Sequence, residues 1–395
     1  MPPTAPADRA RSLLLRLLGI PGRSRQEGRV ARFLIRTLRR AGVPQSAIHV
    51  DEAHRKSPFG GDSGNLIVRV PGTLQGPRRL LSAHMDTVPL CVGVKPVVRD
   101  GWVHPADSST GLGADDRAGV AVLLYALSEL LRCNLPHPPL TFFFSIQEEL
   151  GLVGARYVDR PLFGRPRMAF NFDGSDPNKL TIGATSGYRM TIDVFGIPSH
   201  AGCHPEDGVS AITIAAKAIA DLDARGWHGT IRQGSCVGTS NVGIIEGGNA
   251  TNVVTPRVQL KVEARSRSKT SRERIVKNIE EAFMKAARTV RNAAGKAGRV
   301  EFDGHLDYEA FRLPKDEPAI AVAKEAVRFA GGKPVFAQSN GGLDANWLVA
   351  AGIPTVSLGC GQRNGHTTDE KLNLAEFHQS CQTALRLCAP VSHTR

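Results

Sequence analysis

One apolar run that stops at two acids constrains this chain more than any other stretch. Leu140 to Ile146 is long enough for one buried strand and too short for a helix. Gln147, Glu148 and Glu149 follow it directly. A buried strand ending in paired carboxylates delivers charge to the rim of a sheet, where charge is costly unless a metal or base chemistry uses it. On an extended backbone Glu148 and Glu149 would point to opposite sides, and two neighbouring acids could then have two jobs. An isolated Glu-Glu pair more often starts a solvated turn. The chemical reading therefore needs other acids and histidines delivered in the same way.

The chain supplies them. Asn65 to Val70 reads as a strand ended by Pro71-Gly72, and Arg79 to Ala83 is a short buried strand running into His84-Met85-Asp86. Residues 89–112 read as loops with small hairpins. Ala118 to Arg132 is a strongly apolar helix with Asp115-Asp116 at its mouth, and Arg167 to Phe172 is a strand ending at Asp173-Gly174. This alternation predicts a doubly wound, mostly parallel α/β sheet. From about residue 187 the order becomes β-α-β-β-α-β: strands near 188–195, 241–246, 258–264 and 299–302, and helices near 209–224 and 271–294. That is the ferredoxin-like split unit. After about 307 the α/β pattern resumes, with helices near 317–330, 344–351 and 374–388 and strands near 334–337 and 354–358. The expected organisation is a catalytic domain in two parts, 1–186 and 307–395, with an inserted α+β domain at 187–306.

Net charge is +13. Residues 1–40 hold ten arginines against Asp8 and Glu27, a net of +8. Such a start could serve nucleic acid or an anionic surface, and it also resembles an organellar transit peptide. However, Arg29, Arg32, Arg36 and Arg39 recur at helical spacing around Val30, Phe33, Leu34 and Leu38, as on the solvated face of an amphipathic helix. Helices are expected near 9–19 and 25–41, the second opened by a capping box of Ser24 and Glu27. Residues 1–8, rich in proline and alanine, read as loose. No window holds eighteen uncharged apolar residues, and no secretory apolar region precedes a small-residue cleavage site. The seven cysteines are scattered and form no C-x-x-C pair, which fits free thiols in a reducing cytoplasm. No nucleic-acid or membrane partner is expected.

In a parallel α/β sheet, segments leaving the strand C-termini converge on one edge. His84, Asp115, Glu148, Glu149, Asp173 and, beyond the strand 354–358, His366 would meet there. Imidazole and carboxylate without thiolate suit Zn²⁺, Co²⁺ or Mn²⁺. Two histidines and three carboxylates suffice for two ions if one carboxylate bridges, and paired metals are a device for hydrolysis. Asp86, two residues after His84, could accept the second N–H of a metal-bound imidazole.

These residues lie in segments that resemble the dizinc aminoacylase and carboxypeptidase superfamily of metallopeptidases, and within it the peptidase T-like tripeptide aminopeptidases. The segments, in family order, are residues 82–88 (Ser-Ala-His-Met-Asp-Thr-Val), 113–119 (Gly-Ala-Asp-Asp-Arg-Ala-Gly), 147–152 (Gln-Glu-Glu-Leu-Gly-Leu), 172–174 (Phe-Asp-Gly), 198–202 (Pro-Ser-His-Ala-Gly), 247–254 (Gly-Gly-Asn-Ala-Thr-Asn-Val-Val), 263–266 (Glu-Ala-Arg-Ser) and 365–370 (Gly-His-Thr-Thr-Asp-Glu). Any one is a weak signature; eight in order make a specific match. The resemblance implies that His84, Asp115 and Asp173 hold one metal and that Asp115, Glu149 and His366 hold the other, with Asp115 bridging and Zn²⁺ the expected ion. It makes Asp86 the orienting group for His84 and Glu148 the general base acting on a metal-bridging water. It places His200, Asn252 and Arg265 in substrate binding, with His200 reaching a partner subunit's site to stabilise an oxyanion. It assigns Gly342, in the loop 339–344, a backbone approach to substrate. It also implies a homodimer formed through the inserted domain, which would close over the metals, and short peptides as substrate. Arg117 replaces the usual lysine of the Asp-Asp-Lys motif. Residues 184–187 (Ala-Thr-Ser-Gly) depart from the peptidase T pattern, so altered specificity with retained metal chemistry is expected.

Two competing readings stand beside this one. An N-acyl amino acid deacylase or a carboxypeptidase would keep the fold and change the bond. A non-catalytic basic protein binding nucleic acid or an anionic surface would use the arginine-rich start, but it has no need of Glu148. Cys203, close to His200, is expected to pack, and His54, His104, His137, His204, His228 and His305 to be structural.

Overall fold

The computed structural model describes residues 6–390. The chain forms two compact units, one running to Gly183 and resuming at Arg312, the other spanning Ala184–Phe311.

The first unit is organised by a nine-stranded mixed sheet. Its centre is four parallel strands in the order Leu140–Ser145, Arg79–His84, Met168–Phe172 and Thr355–Leu358. Leu66–Val70 adds antiparallel to the first of these, and Ile48–Val50 pairs antiparallel with Leu66–Val70 in turn. Lys179–Ala184 adds antiparallel to the other side. The central strands read as unbroken apolar runs because both faces are covered. Leu80, Leu81, Phe142, Phe143, Phe144, Phe170 and Phe172 are wholly buried. The register matters for function: His84 lies opposite Ser145, and Leu358 opposite Phe172. The strands therefore end nearly flush, and the residues after each of them emerge at one edge.

Helix Ala114–Arg132 packs on the strand Arg79–His84 and against the helices Pro6–Leu18 and Leu374–Cys388. It is enclosed on nearly all sides, which is why its residues from Val120 to Leu124 are all apolar. Arg9 reaches Glu129 of this helix across a 2.8 Å ion pair, so the N-terminal helix is part of the fold. That helix begins at Pro6. Residues 6–8, expected to be loose, are helical, while residues 1–5 lie outside the described residues. The second helix runs Gly28–Arg40, and the expected capping box is absent: Glu27 occupies the N-cap without a side-chain cap. Ser24 and Glu27 are committed elsewhere, as described below.

The second unit is built on a five-stranded antiparallel sheet in the order Gly229–Gln233, Cys236–Gly247, Arg257–Ser266, Ser186–Phe195 and Arg299–Tyr308. The four strands anticipated from sequence have the ferredoxin-like spatial order. Helices Ala211–Ala224 and Lys269–Thr289 pack on the sheet and on each other, and are capped by Ser210 and Ser268. The fifth strand, Gly229–Gln233, was not anticipated. It buries only Ile231, so it carries almost no apolar pattern. It is held by a hairpin in which Gly234 adopts a left-handed backbone.

Replacing Phe144 by alanine removes a fully buried ring next to Ser145, where the opening strand ends. We expect a loss of about 3–5 kcal/mol of stability, read from urea unfolding. An unchanged midpoint would contradict the packing described.

Candidate metal centre

His84 closes the strand Arg79–His84 and is buried. Its Nε2 lies 3.3 Å from Asp115 Oδ1, and its Nδ1 lies 3.2 Å from the Asp86 carbonyl and 3.3 Å from Asp86 Oδ1. Asp86 is fully buried. Its carboxylate accepts the Glu148 amide at 3.0 Å, the Glu149 amide at 3.3 Å and the Ser24 hydroxyl at 2.6 Å. Burial alone would push the Asp86 carboxyl up; His84, Ser24 and the Glu148 amide outweigh it and hold it below the usual carboxylate range.

The two acids at the mouth of the long helix have different places. The helix-start residues Asp115 and Asp116 are not helical, and the peptide between them is cis. Asp116 is buried and ties the helix to the sheet, accepting the His84 amide and the Gly119 amide, both at 3.1 Å. Asp115 stands between two imidazoles, 3.3 Å from His84 Nε2 and 3.5 Å from His366 Nε2. Glu370 fixes the loop leading into it. Its carboxylate accepts the amides of Leu112, Gly113 and Asp115 at 2.8, 2.7 and 3.0 Å.

The acids after the opening strand do not alternate on an extended backbone, contrary to the expectation. The strand ends at Ser145, Gln147 turns left-handed, and Glu148–Leu150 is a single 3₁₀ turn. The turn is fastened from below. Gln147 gives its amide to Glu27 at 3.0 Å and its side-chain amide to the Gly60 carbonyl at 2.7 Å, and it accepts the Ser57 hydroxyl at 2.6 Å. From this turn Glu149 Oε1 approaches His366 Nε2 to 2.7 Å. Asp173 follows the strand Met168–Phe172 and is anchored through its amide to the Leu358 carbonyl at 3.1 Å.

His84, Asp115 and Asp173 offer ligand atoms that all lie within 4.8 Å of one another, as do Asp115, Glu149 and His366, and as do His84, Glu148 and Glu149. The site brings together every metal-ligating residue anticipated from sequence. Its chemistry fits divalent cations, because four carboxylates share one small, largely buried region with two imidazoles and no thiolate ligand. Charge crowding shows the same need. Burial, then the Asp115 charge, pushes the Asp173 carboxyl up to about 7. Burial also lifts Glu148 well above the usual range, with Asp173 and Glu149 adding to it against His84. The hydrogen bond to Glu149 raises His366 to about 9.

The remaining anticipated residues lie elsewhere. Gly342 is in the first unit, in the loop before Asp344. Asp344 is buried, accepts a short hydrogen bond from Ser145, and is raised to about 6 by burial. His200, Asn252 and Arg265 belong to the second unit. His200 is exposed and bridges to Val253; its Nδ1 accepts the amides of Gly202 and Cys203. The Asn252 carbonyl accepts the Ala201 amide at 2.9 Å. Arg265 is engaged by Glu263 at 3.0 Å. Cys203 is exposed, not packed as expected. Arg117, which stands where the motif usually has lysine, is buried and gives one N–H to the Gly22 carbonyl at 2.9 Å.

Sequence reasoning gave no role to Glu370 or Gln147, and read Ser24 and Glu27 only as a helix capping box. Glu370 and Gln147 lie inside the quoted segments, where adjacency to a ligand was a usable signal. Ser24 and Glu27 lie far upstream and looked like an ordinary helix start.

A parallel-sheet edge carrying overlapping acid and histidine triads defines a metal-dependent hydrolase. Residues 80–389 match the family described as Peptidase family M20/M25/M40, and the chain belongs to that family. It is 34% identical over 374 residues to the uncharacterized protein YqjE of Bacillus subtilis (strain 168), covering 94% of this chain and 95% of that protein. Two solved structures are similar along nearly the whole chain. The aminopeptidase PepT from Bacillus cereus ATCC 10987 has a TM-score of 0.82 at 32% identity, and a tripeptidase from Staphylococcus aureus subsp. aureus Mu50 has a TM-score of 0.86 at 30% identity. Each match covers 97% of this chain and 98% of the other. A third, described as a dinuclear metal binding peptidase of the M20 family, the YXEP protein of Bacillus subtilis, shares the fold at a TM-score of 0.69 and 17% identity, covering 99% of both chains. The chain is thus a peptidase T-like member of its family and a metal-dependent peptidase. Among the described residues, no helix is long and apolar enough to cross a membrane.

Removal of metal should expose the charge crowding. A carboxyl raised in the fold holds its proton there first, so stability falls as pH rises from its unfolded value near 4 to its folded one, about 7 for Asp173. His366, raised to about 9, acts in the same direction, because its stabilisation is lost as pH rises through that value. The depressed Asp86 and Asp115 change only at lower pH. We therefore expect the chelated protein to lose thermal stability between about pH 5 and about pH 8 while the metal-loaded protein changes much less. Parallel calorimetric profiles would show it; a gap that closes with rising pH would contradict it.

Proposed function

We propose that the protein is an aminopeptidase acting on short peptides, most directly tripeptides, with two divalent metal ions and Glu148 as general base. The observation that carries this reading is the pair of triads sharing Asp115, His84-Asp115-Asp173 and Asp115-Glu149-His366, with Glu148 beside them. His84, Asp115 and Asp173 would hold one ion, and Asp115, Glu149 and His366 the other; Zn²⁺ suits this donor set, as do Co²⁺ and Mn²⁺. Such ions supply Lewis-acid polarisation of the scissile carbonyl and of the attacking water.

The protein's own groups do the rest. Asp86 accepts the proton on the second nitrogen of His84 and so fixes its orientation and tautomer. The same carboxylate holds the amides of Glu148 and Glu149, so one group sets the ligand and the base together. Burial leaves the Glu148 carboxylate a stronger proton acceptor than a solvated one. It takes a proton from the attacking water and returns it to the leaving amine. The second unit's His200, Asn252 and Arg265 are assigned to substrate, His200 to a developing oxyanion and Arg265 to a carboxylate or carbonyl through its planar fork. Gly342 would offer backbone to the peptide. We further assign the second unit, Ala184–Phe311, expected from sequence at 187–306, to lid closure and homodimerisation, and the protein to the cytoplasm. Support for the tripeptide reading comes from the similarity to the PepT aminopeptidase and the tripeptidase.

Glu148→Gln should retain two metal equivalents and lose turnover by about three orders of magnitude or more. Glu149→Gln should lose one equivalent. Metal analysis with peptide assays on both variants checks this, and retained activity in both would refute the assignment. Free tripeptides should be cut and N-blocked tripeptides should not. Preferential cleavage of N-acetyl amino acids would favour the deacylase reading instead.

A further inference from the structure

Next to the acid turn lies a cleft of about 850 Å³ lined by Arg23, Arg25, Arg29 and Arg32, with Ser24, Asp62 and Leu150 among its other walls. Among the described residues none of these four arginines forms an ion pair, as is also true of Arg36, Arg39 and Arg40 farther along the helix; Arg23 Nε donates to the Gln26 side chain at 3.2 Å. The acid in the cleft wall, Asp62, is engaged at Oδ1 by the Gly28 amide at 2.9 Å. Asp62 is the one carboxylate in the lining against these four guanidinium groups, so the cleft carries a net positive charge that a bound anion would offset.

A solvated helix face does not account for the arrangement. Arg23 and Arg25 precede the helix, and Arg25 holds a left-handed backbone at φ +76, which is unfavourable for a residue with a side chain. Arg23, Ser24 and Arg25 line the cleft, Ser24 also gives its hydroxyl to Asp86, and Glu27 accepts the amides of Arg25 and Gln147, each at 3.0 Å. The opposite wall is tied in as well. The Asp62 amide donates to the Arg25 carbonyl at 3.1 Å, and Gln147 bonds the Gly60 carbonyl. Asp86 stands between Ser24 and His84, so the cleft is separated from the ligand cluster by a buried carboxylate.

We propose that this cleft binds a small polyanion carrying two or more phosphate or carboxylate groups, and that its occupancy stiffens the segment holding Asp86 and Gln147. The volume suits a small molecule, and planar guanidinium forks suit both oxyanions. The site is distinct from the peptide-cleaving centre, and its ligand acts on that centre through Ser24 and Glu27.

The test is titration calorimetry on the metal-loaded full chain at about 0.15 M salt, with fructose 1,6-bisphosphate in one arm and N-acetyl-triglutamate in the other. One arm should show saturable one-to-one binding, which identifies the phosphate or the carboxylate class. Binding should weaken about tenfold in Arg29→Glu/Arg32→Glu, by less in the Arg29→Gln/Arg32→Gln variant, and with rising salt. Amide exchange across residues 22–28 should slow on binding, a readout that does not depend on peptide hydrolysis. The site is overturned if neither ligand binds below about 1 mM or if charge reversal leaves affinity unchanged. Binding without slowed exchange would overturn the coupling to the acid turn.

Discussion

The site depends on one buried carboxylate. Asp86 receives the His84 ring, the amides of Glu148 and Glu149, and the Ser24 hydroxyl. A fully buried charge is tolerable only when its lone pairs are filled, and here each filled lone pair fixes a different part of the centre. The strand that ends in His84, the turn that carries the acids and the N-terminal segment are held to one another by it. Loss of Asp86 would therefore be expected to disturb geometry at several ligands together, not at one.

Around Asp86 the chain accepts other local costs. Asp116 and Glu370 are buried carboxylates that bind backbone amides and keep the loop and helix near Asp115 in place. Gln147 takes a left-handed backbone so that the acids turn back toward the histidines. These departures from ordinary local preference cluster at the sheet edge, where the aligned strand ends of the fold already converge. The fold supplies convergence, the buried carboxylates supply orientation, and the crowded ligands supply the demand for cations.

Much of this was legible in the sequence. The apolar runs at 79–83, 140–146 and 167–172 marked buried strands, and the acids and histidines after them marked one edge. That logic, with Asp115 at its helix mouth and His366 beyond the strand 354–358, gave the candidate cluster; the division of metal ligands and base among its members came from the family resemblance. The 3₁₀ turn that presents them was hidden, because a left-handed Gln147 leaves no sequence signature as a glycine would. The roles of Ser24 and Glu27 were hidden by distance: they lie about sixty and about one hundred and twenty residues from the groups they bind, and their spacing imitates a capping box. The strand Gly229–Gln233 was hidden because an edge strand with one buried residue has no period to read.

The central claim is that this edge holds two cations sharing Asp115. Anomalous diffraction at the zinc edge from crystals of the zinc-loaded protein tests it most directly. The account predicts two peaks with Asp115 between them, one beside His84 and Asp173 and the other beside Glu149 and His366. A single peak, or peaks away from Asp115, would contradict it.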